Sequence, residues 1–300
     1  MEEVPNFPTL LNHNMIGSSS SSNMVPGEEA EAAGGLILHQ HHQHGTNTSN
    51  PAQTDHHPET RHALTGPRQI RSTLYQLRDS NRVEVAIEHL TRLDQWLDMT
   101  VEDETRKTTA KRIVNYHGTT ILLMALGQWK DRSKAFSGIA VHTLVNLSFL
   151  APTTTLPLIA NAGLHLILST AKEYPEDYAV TSNSIGLLHN CAEYQMKNNN
   201  RNDDQDYAIQ AASDECLDLV METMKKWPSS SYHQERGCLY LYEMSKRNGT
   251  RRILLHDKSV CSLLVQTLEE HRDAISGDHQ RVYQAAQLAL FVYVSTPPSV

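Results

Sequence analysis

Histidine and cysteine have the widest chemical scope of the side chains in this sequence, because they bind transition metals and act as acids, bases or nucleophiles. Seven histidines lie within residues 39–62, where they resemble a zinc, copper or nickel ligand set. Metal function needs ligands held in a fixed geometry by their own hydrogen bonds, which a low-complexity tract lacks. We therefore predict no metal site and no cofactor, with metal binding as the open alternative. The seven are His39, His41, His42, His44, His56, His57 and His62.

The rest of the chain shows no catalytic spacing. The histidines after residue 66 form no HExxH pattern, and no P-loop, GxGxxG, GxSxG or paired-carboxylate signature occurs. The four cysteines form no CxxC pair. Each lies on an apolar stripe, which is typical of buried thiols that act as small hydrophobic groups. We predict that the protein is not an enzyme. The four are Cys191, Cys216, Cys238 and Cys261.

Charge and hydropathy exclude further classes. Residues 1–66 contain seven acids and one base, so they carry −6 of the net charge of −8. The remaining chain is nearly neutral, which argues against nucleic-acid binding. We find neither a run of about 18 apolar residues nor a secretory signal, and we predict no membrane association. The expected location is soluble and intracellular, cytoplasmic or nuclear.

The sequence divides into three regions. Residues 1–66 form an acidic tail rich in serine and histidine, with too few apolar residues to order it, and we predict that it is disordered. Residues 67–102 read as N-terminal capping helices, and residues 103–296 as a repeat domain. Apolar residues at helical spacing, without strand signals, predict an all-α fold.

An internal repeat organises the body. An apolar helix ends at Trp129, Tyr174, Trp227 and His271, which are 45, 53 and 44 residues apart. A short first helix precedes each of these second helices, and a longer third helix follows it. Since no single unit can bury its apolar stripe, stacked units should form a right-handed α-solenoid of about four repeats.

Glycine should allow a sharp turn between the first and second helices of two units, at Gly118 and Gly163. Asp214 and Lys258 hold this position in the other two units, so their turns should differ. The third helices are predicted to start near Ser133, Asp177, Ser230 and Asp278.

These residues resemble an armadillo repeat. The runs 141–148 and 187–192 resemble the end of a third armadillo helix, which reads leucine, spacer, asparagine, then an apolar or small residue. The third unit, 217–239, is similar to the variant found in leucine-rich-repeat kinase armadillo regions and in repeat proteins of algae and protists. The tryptophan of the importin-type and catenin-type groove is replaced by His142 and Gly186, so a receptor for nuclear-localisation peptides is not expected.

The resemblance implies a non-enzymatic scaffold whose third helices line a concave surface for a partner protein or peptide. Side-chain amides there would bond a peptide backbone as donor and acceptor. The mixed charge of these positions favours a partner without a strong charge of its own. The predicted partner-binding residues are His142, Asn146, Asn183, Asn190, Arg236, Tyr240 and Glu243, with Tyr242 as an alternative aromatic anchor.

Three further interpretations accompany this one. In the alternative function, the tail recruits the partner and the solenoid is a rigid spacer. The sequence has two basic clusters, 106–112 and 246–252. We interpret both as solvated helix ends and not as a site for phosphate or an acidic partner. The last helix lacks a polar outer face, which predicts a homodimer through the C-terminal repeat. Its apolar residues are Val282, Leu288, Leu290, Phe291 and Val294.

Overall fold

The computed structural model describes residues 66–98, 101–198, 206–245, 259–272 and 277–295, all within the compact unit Glu59–Val300. These ranges are helical and contain no β-strand, which confirms the all-α prediction. The predictions for residues 1–65 and for the second basic cluster, 246–252, lie outside the described residues. The helices are α1 Pro67–Arg78, α2 Val83–Gln95, α3 Asp103–Asn115, α4 Gly118–Trp129, α5 Lys134–Leu150, α6 Pro152–Leu158, α7 Leu164–Glu173, α8 Tyr178–Asn198, α9 Asp206–Lys226, α10 Ser231–Ser245, α11 Val260–Glu270 and α12 Gly277–Ser295.

The helices stack in two layers. The second helices α1, α4, α7, α9 and α11 pack against one another in chain order. The third helices α2, α5, α8, α10 and α12 do the same, and we call them the third-helix layer. Because each repeat contacts chiefly its neighbours, the fold is an α-solenoid. The predicted capping helices α1 and α2 occupy the places of a second and a third helix.

Side-chain caps start three of the third helices. A cap of this kind contributes about 1 kcal/mol because it satisfies a backbone N–H that has no partner within the helix. Helices α5, α8 and α10 each begin one residue after their cap, as predicted. The caps are Ser133 Oγ, which accepts from Phe136 N at 3.2 Å, Asp177 Oδ1, which accepts from Val180 N at 2.9 Å, and Ser230 Oγ, which accepts from His233 N at 3.5 Å.

Two hydrophobic cores fill the space between the layers. The first extends from Ile70 in α1 to Cys191 in α8, and Phe136 is its largest fully buried side chain. The second extends from Leu168 in α7 to Ala289 in α12. Helices α7 and α8 contribute residues to both cores, so the two cores meet within these helices and not at a linker.

The turn between α3 and α4 uses a left-handed residue, but this residue is not the predicted glycine. His117 has a φ of 61°, and Ser259, before α11, has a φ of 58°. Gly118 is needed for a different reason. A Cβ at this position would lie 2.7 Å from the backbone oxygen of Ile113, so only glycine lets α4 begin this close to the end of α3.

The junctions at Gly163 and Asp214 contain no sharp turn. At Gly163 the chain stays helical, passing from α6 to α7 through a π-helical turn, Ile159–Gly163. The prediction of a sharp turn at Gly163 is therefore wrong. Glycine is needed here for close packing, because a Cβ would lie 2.7 Å from Leu123 Cδ2. In the third repeat the first and second helices are fused into α9, which runs straight through Asp214.

One described segment, Pro152–Glu173, is long and apolar enough to cross a membrane by length and composition alone. Of its most apolar 18-residue stretch, 44% is buried within the fold. The segment comprises α6, the π-helical turn and α7, which pack against α4, α5, α8 and α9. A core helix of a repeat array meets the same criterion, so this feature does not by itself indicate membrane insertion.

Candidate partner-binding surface

All seven predicted partner-binding residues lie on the third-helix layer, on α5, α8 and α10. Five of them are half-buried, namely His142, Asn146, Asn183, Asn190 and Arg236. The other two, Tyr240 and Glu243, are buried. Polar bonds join each third helix to the next, and these bonds determine how the half-buried side chains are held.

His142 links α5 to α2. Its Nδ1 lies 2.9 and 3.0 Å from the two carboxylate oxygens of Asp94. The hydroxyl of Thr143 donates to the same carboxylate at 3.0 Å. The hydrogen bond to Asp94 raises the pKa of His142, although burial opposes the shift.

Asp94→Asn is expected to destabilise the fold more at pH 5.5 than at pH 8.5. A raised pKa in the folded state means that the ion pair contributes its full stability below the unfolded pKa of about 6.5 and loses it as the pH rises through the folded value. Because the His142 side chain is 43% exposed, solvent limits the pH-dependent loss to about 0.5–1 kcal/mol. Denaturant unfolding at both pH values measures it.

Thr143→Val is the matched control, since it removes a hydrogen bond to the same carboxylate without changing charge. Its effect should be the same at both pH values. An Asp94→Asn variant whose loss of stability is independent of pH would contradict the assignment of the charged pair.

Asn190 links α8 to α5. Its Nδ2 donates to Ser148 Oγ at 2.8 Å, which leaves the amide oxygen and the second N–H without a partner among the described residues. Asn146 and Asn183 make no side-chain hydrogen bond within the same ranges. The three amides therefore offer unsatisfied donors and acceptors on two neighbouring helices.

Arg236 links α10 to α8. Its Nη1 lies 3.2 Å from His189 Nδ1, and its guanidinium carbon lies 5.6 Å from the centre of the Tyr232 ring. The next link, from α10 to α12, is an ion pair between Glu235 Oε2 and Arg281 Nε at 3.4 Å.

Sequence reasoning missed the partners in these links. Each is a polar residue 42 to 48 positions from the residue it contacts, a spacing close to the repeat length. Polar residues separated by about one repeat length were therefore the sequence signal that could have predicted these contacts. The missed residues are Asp94, Ser148, His189, Glu235 and Arg281.

Tyr240 is not an accessible aromatic anchor. Only 3% of the residue is exposed, and its hydroxyl is hydrogen-bonded to the Cys216 thiol. Glu243 is also in the interior, with 6% exposed. Third helices pack against both neighbouring third helices and the second-helix layer, so fewer of their faces reach solvent than a single apolar stripe suggests. The alternative anchor, Tyr242, is half-buried.

The cysteines behave mainly as predicted. Cys191, Cys216 and Cys238 are buried, and burial raises the pKa of the first two thiols to about 12. Burial also raises the pKa of Cys238, which is the opposite of what a cysteine nucleophile needs. Cys261 is only half-buried, which corrects the prediction for that residue.

The first basic cluster is partly paired with acids. In the first basic cluster, Lys107 pairs with Asp103 at 2.7 Å and with Glu104 at 3.0 Å, and Arg106 is buried beside Asp103. Nearby acids thus neutralise part of the cluster, but the burial of Arg106 differs from the solvated helix end that was predicted. Across the described residues, no group of three or more histidine, cysteine, aspartate or glutamate side chains is arranged to hold a metal ion.

The last helix leaves part of its apolar face uncovered. Phe291 is 61% exposed and Val294 is 67% exposed. Val282 is fully buried in the repeat, so it does not belong to the outer face. Fewer residues are therefore available for the predicted homodimer contact than the sequence suggested. The homodimer itself stays a prediction.

Comparisons with known proteins found a few solved structures that resemble this chain in fold. No family model and no curated protein matches the chain. An engineered protein from the Northeast Structural Genomics Consortium is 18% identical, with a TM-score of 0.55 over 76% of this chain and 80% of that one. A designed armadillo repeat protein is 14% identical over 75% of this chain and 99% of its own, with a TM-score of 0.40.

A second designed armadillo repeat protein, in complex with the peptide (KR)4, is 13% identical, with a TM-score of 0.38 over 74% of this chain and 99% of its own. At these identities such similarity concerns the fold alone. The described helices form an α-solenoid of stacked repeats, and the likeness to the engineered protein with a TM-score of 0.55 is a likeness of fold.

Proposed function

We propose that this protein is a non-enzymatic scaffold that binds a partner polypeptide on the third-helix layer. The observation that carries the proposal is the set of half-buried amides of Asn146, Asn183 and Asn190. They lie on two helices that pack against each other, and they keep hydrogen-bonding groups that nothing within the described ranges satisfies. Groups of this kind match the N–H and C=O groups of an extended chain.

The rigidity of the layer supports the same function. Consecutive third helices are joined by polar bonds, from Asp94 to His142 and from Ser148 to Asn190. The Asn190 side chain, already held by Ser148, loses less conformational freedom when a ligand binds, which favours affinity. Each amide contributes about 0.5–1.5 kcal/mol, so three of them orient a partner, and further contacts must provide the rest of the affinity.

The test is affinity capture from native lysate with the full chain and a triple variant, Asn146→Ala/Asn183→Ala/Asn190→Ala. The expected result is at least a tenfold loss of a specific partner. The matched control is Thr120→Ala/Glu173→Ala/Glu222→Ala, which changes three exposed residues of the second-helix layer and should retain the partner. Circular dichroism must show that both variants remain folded.

Equal capture by both triple variants would overturn the proposal. A chain that begins at residue 67 tests the alternative function. It should retain the partner if the third-helix layer binds, and it should lose the partner if residues 1–66 are the recruiting segment.

A further inference from the structure

Arg236 differs from the other arginines of the third-helix layer in having no carboxylate beside it. Arg92 pairs with Glu88 at 2.9 Å. Arg281 pairs with Asp278 at 2.8 Å and with Glu235 at 3.4 Å. Within the described residues, the side chain of Arg236 makes one hydrogen bond, to an imidazole, and one cation–π contact, and it forms no ion pair.

The position of this guanidinium is well defined. A Cβ at Gly186 would lie 2.8 Å from the Tyr232 hydroxyl, so glycine on α8 makes room for the tip of that ring. The guanidinium of Arg236 stacks on the fixed ring, an arrangement that is favourable for arginine. His189, of which only 6% is exposed, accepts one hydrogen bond from it, because arginine has no acceptor of its own.

Most of the donors on Arg236 are unused. A guanidinium has five N–H groups, and the bond to His189 uses one of them. The residue is half-buried, and none of its nitrogens is among the buried side-chain atoms without a partner, so the unused donors remain accessible to a ligand. A carboxylate matches the planar fork of the guanidinium with two parallel hydrogen bonds.

We propose that Arg236 is the anchor for an acidic side chain of the bound partner. This inference rests on the proposed function, since it assigns one contact of the same third-helix layer. The ligand group is a singly charged carboxylate on a polypeptide. A phosphate dianion fits less well, because Arg236 is a single cation and a dianion requires more than one compensating cation.

The first test uses the full chain with 15N-labelled arginine and two blocked peptides, Ala-Ala-Glu-Ala-Ala and Ala-Ala-Gln-Ala-Ala. The glutamate peptide should shift the Arg236 Nε–H resonance saturably, with an apparent Kd at least threefold lower than at Arg68. Arg68 is exposed on α1 and has no partner among the described residues, so it measures non-specific attraction. The glutamine peptide should shift neither signal. Equal responses at the two arginines, or to the two peptides, overturn the proposal.

The second test uses Arg236→Lys, which keeps the charge but loses the fork. It should reduce capture of the partner at least tenfold, whereas Arg68→Gln should leave capture unchanged. Full capture by Arg236→Lys overturns the anchor. If the glutamate peptide binds Arg236 while the triple asparagine variant captures partner normally, the proposed function fails and the carboxylate site stands.

Discussion

Lowering the pH from 7.5 to 5 is expected to reduce the free energy of unfolding by about 2 kcal/mol through His233 alone. This residue is fully buried, and desolvation lowers its pKa to about 4. The unfolded chain takes up this proton near pH 6.5. The stability is therefore present above pH 6.5 and is lost as the pH falls toward 4, which is opposite to the behaviour expected of His142.

The surroundings of His233 explain why it stays neutral. Its Nδ1 lies 2.8 Å from Ser230 Oγ, and its Nε2 lies 3.1 Å from Thr181 Oγ1. Trp227 stacks on one side of the ring, with centroids 5.6 Å apart, and Tyr178 meets it edge-on at 4.7 Å. None of these side chains is a carboxylate, so nothing compensates an imidazolium.

Denaturant unfolding between pH 7.5 and 5 measures the effect in the native chain and in His233→Gln. The variant starts from a lower stability, since it disturbs two hydrogen bonds, but its stability should fall about 2 kcal/mol less over this range. The ring resonances of His233 should also stay unshifted down to pH 5. A variant with the same acid dependence as the native chain would rule out His233 as the cause.

Gly118→Ala is expected to lower the free energy of unfolding by about 2–3 kcal/mol. The added methyl group would lie 2.7 Å from the backbone oxygen of Ile113, and a backbone atom cannot move aside as the end of a flexible side chain does. The turn between α3 and α4 must open, and overpacking of this kind costs about 1–3 kcal/mol. Thermal and denaturant unfolding both measure this change.

Gly127→Ala is the matched control, because it makes the same chemical change in the same helix. A Cβ there would lie 3.6 Å from Leu166 Cδ2, which is an ordinary contact. Alanine in a helix interior is favoured over glycine by about 0.5–1 kcal/mol, so this variant should be slightly more stable than the native chain. Two variants of equal stability would show that the Ile113 contact is not limiting.

The parts of the fold that depend on local signals follow from the sequence. Ser133, Asp177 and Ser230 mark the starts of α5, α8 and α10 because a helix cap needs only a side-chain oxygen three residues before a free N–H. The fused helix α9 does not follow, since whether the chain turns at Asp214 depends on the second helices packed around it. Gly163 shows the same limit, as its glycine serves contact with Leu123.

The candidate site divides in the same way. The spacing placed Asn146 and Asn190 on the third helices, because leucine and asparagine at fixed positions are a local pattern. It did not show that Tyr240 is buried, since that depends on α8 and α12 covering α10 from both sides. The partners of Arg236 also belong to another helix, and no single helix pattern shows which arginine lacks a carboxylate.

The meeting of the two cores within α7 and α8 has a thermodynamic consequence. If the C-terminal core melts, one face of each of these helices loses its packing, and the N-terminal core loses part of its own wall. Neighbouring repeats are thus coupled as in a short one-dimensional chain of interacting units. A ligand that binds only α8 and α10 therefore also raises the melting temperature of helices that it does not contact. The cause is linkage, since a ligand that binds only the folded state makes that state more stable.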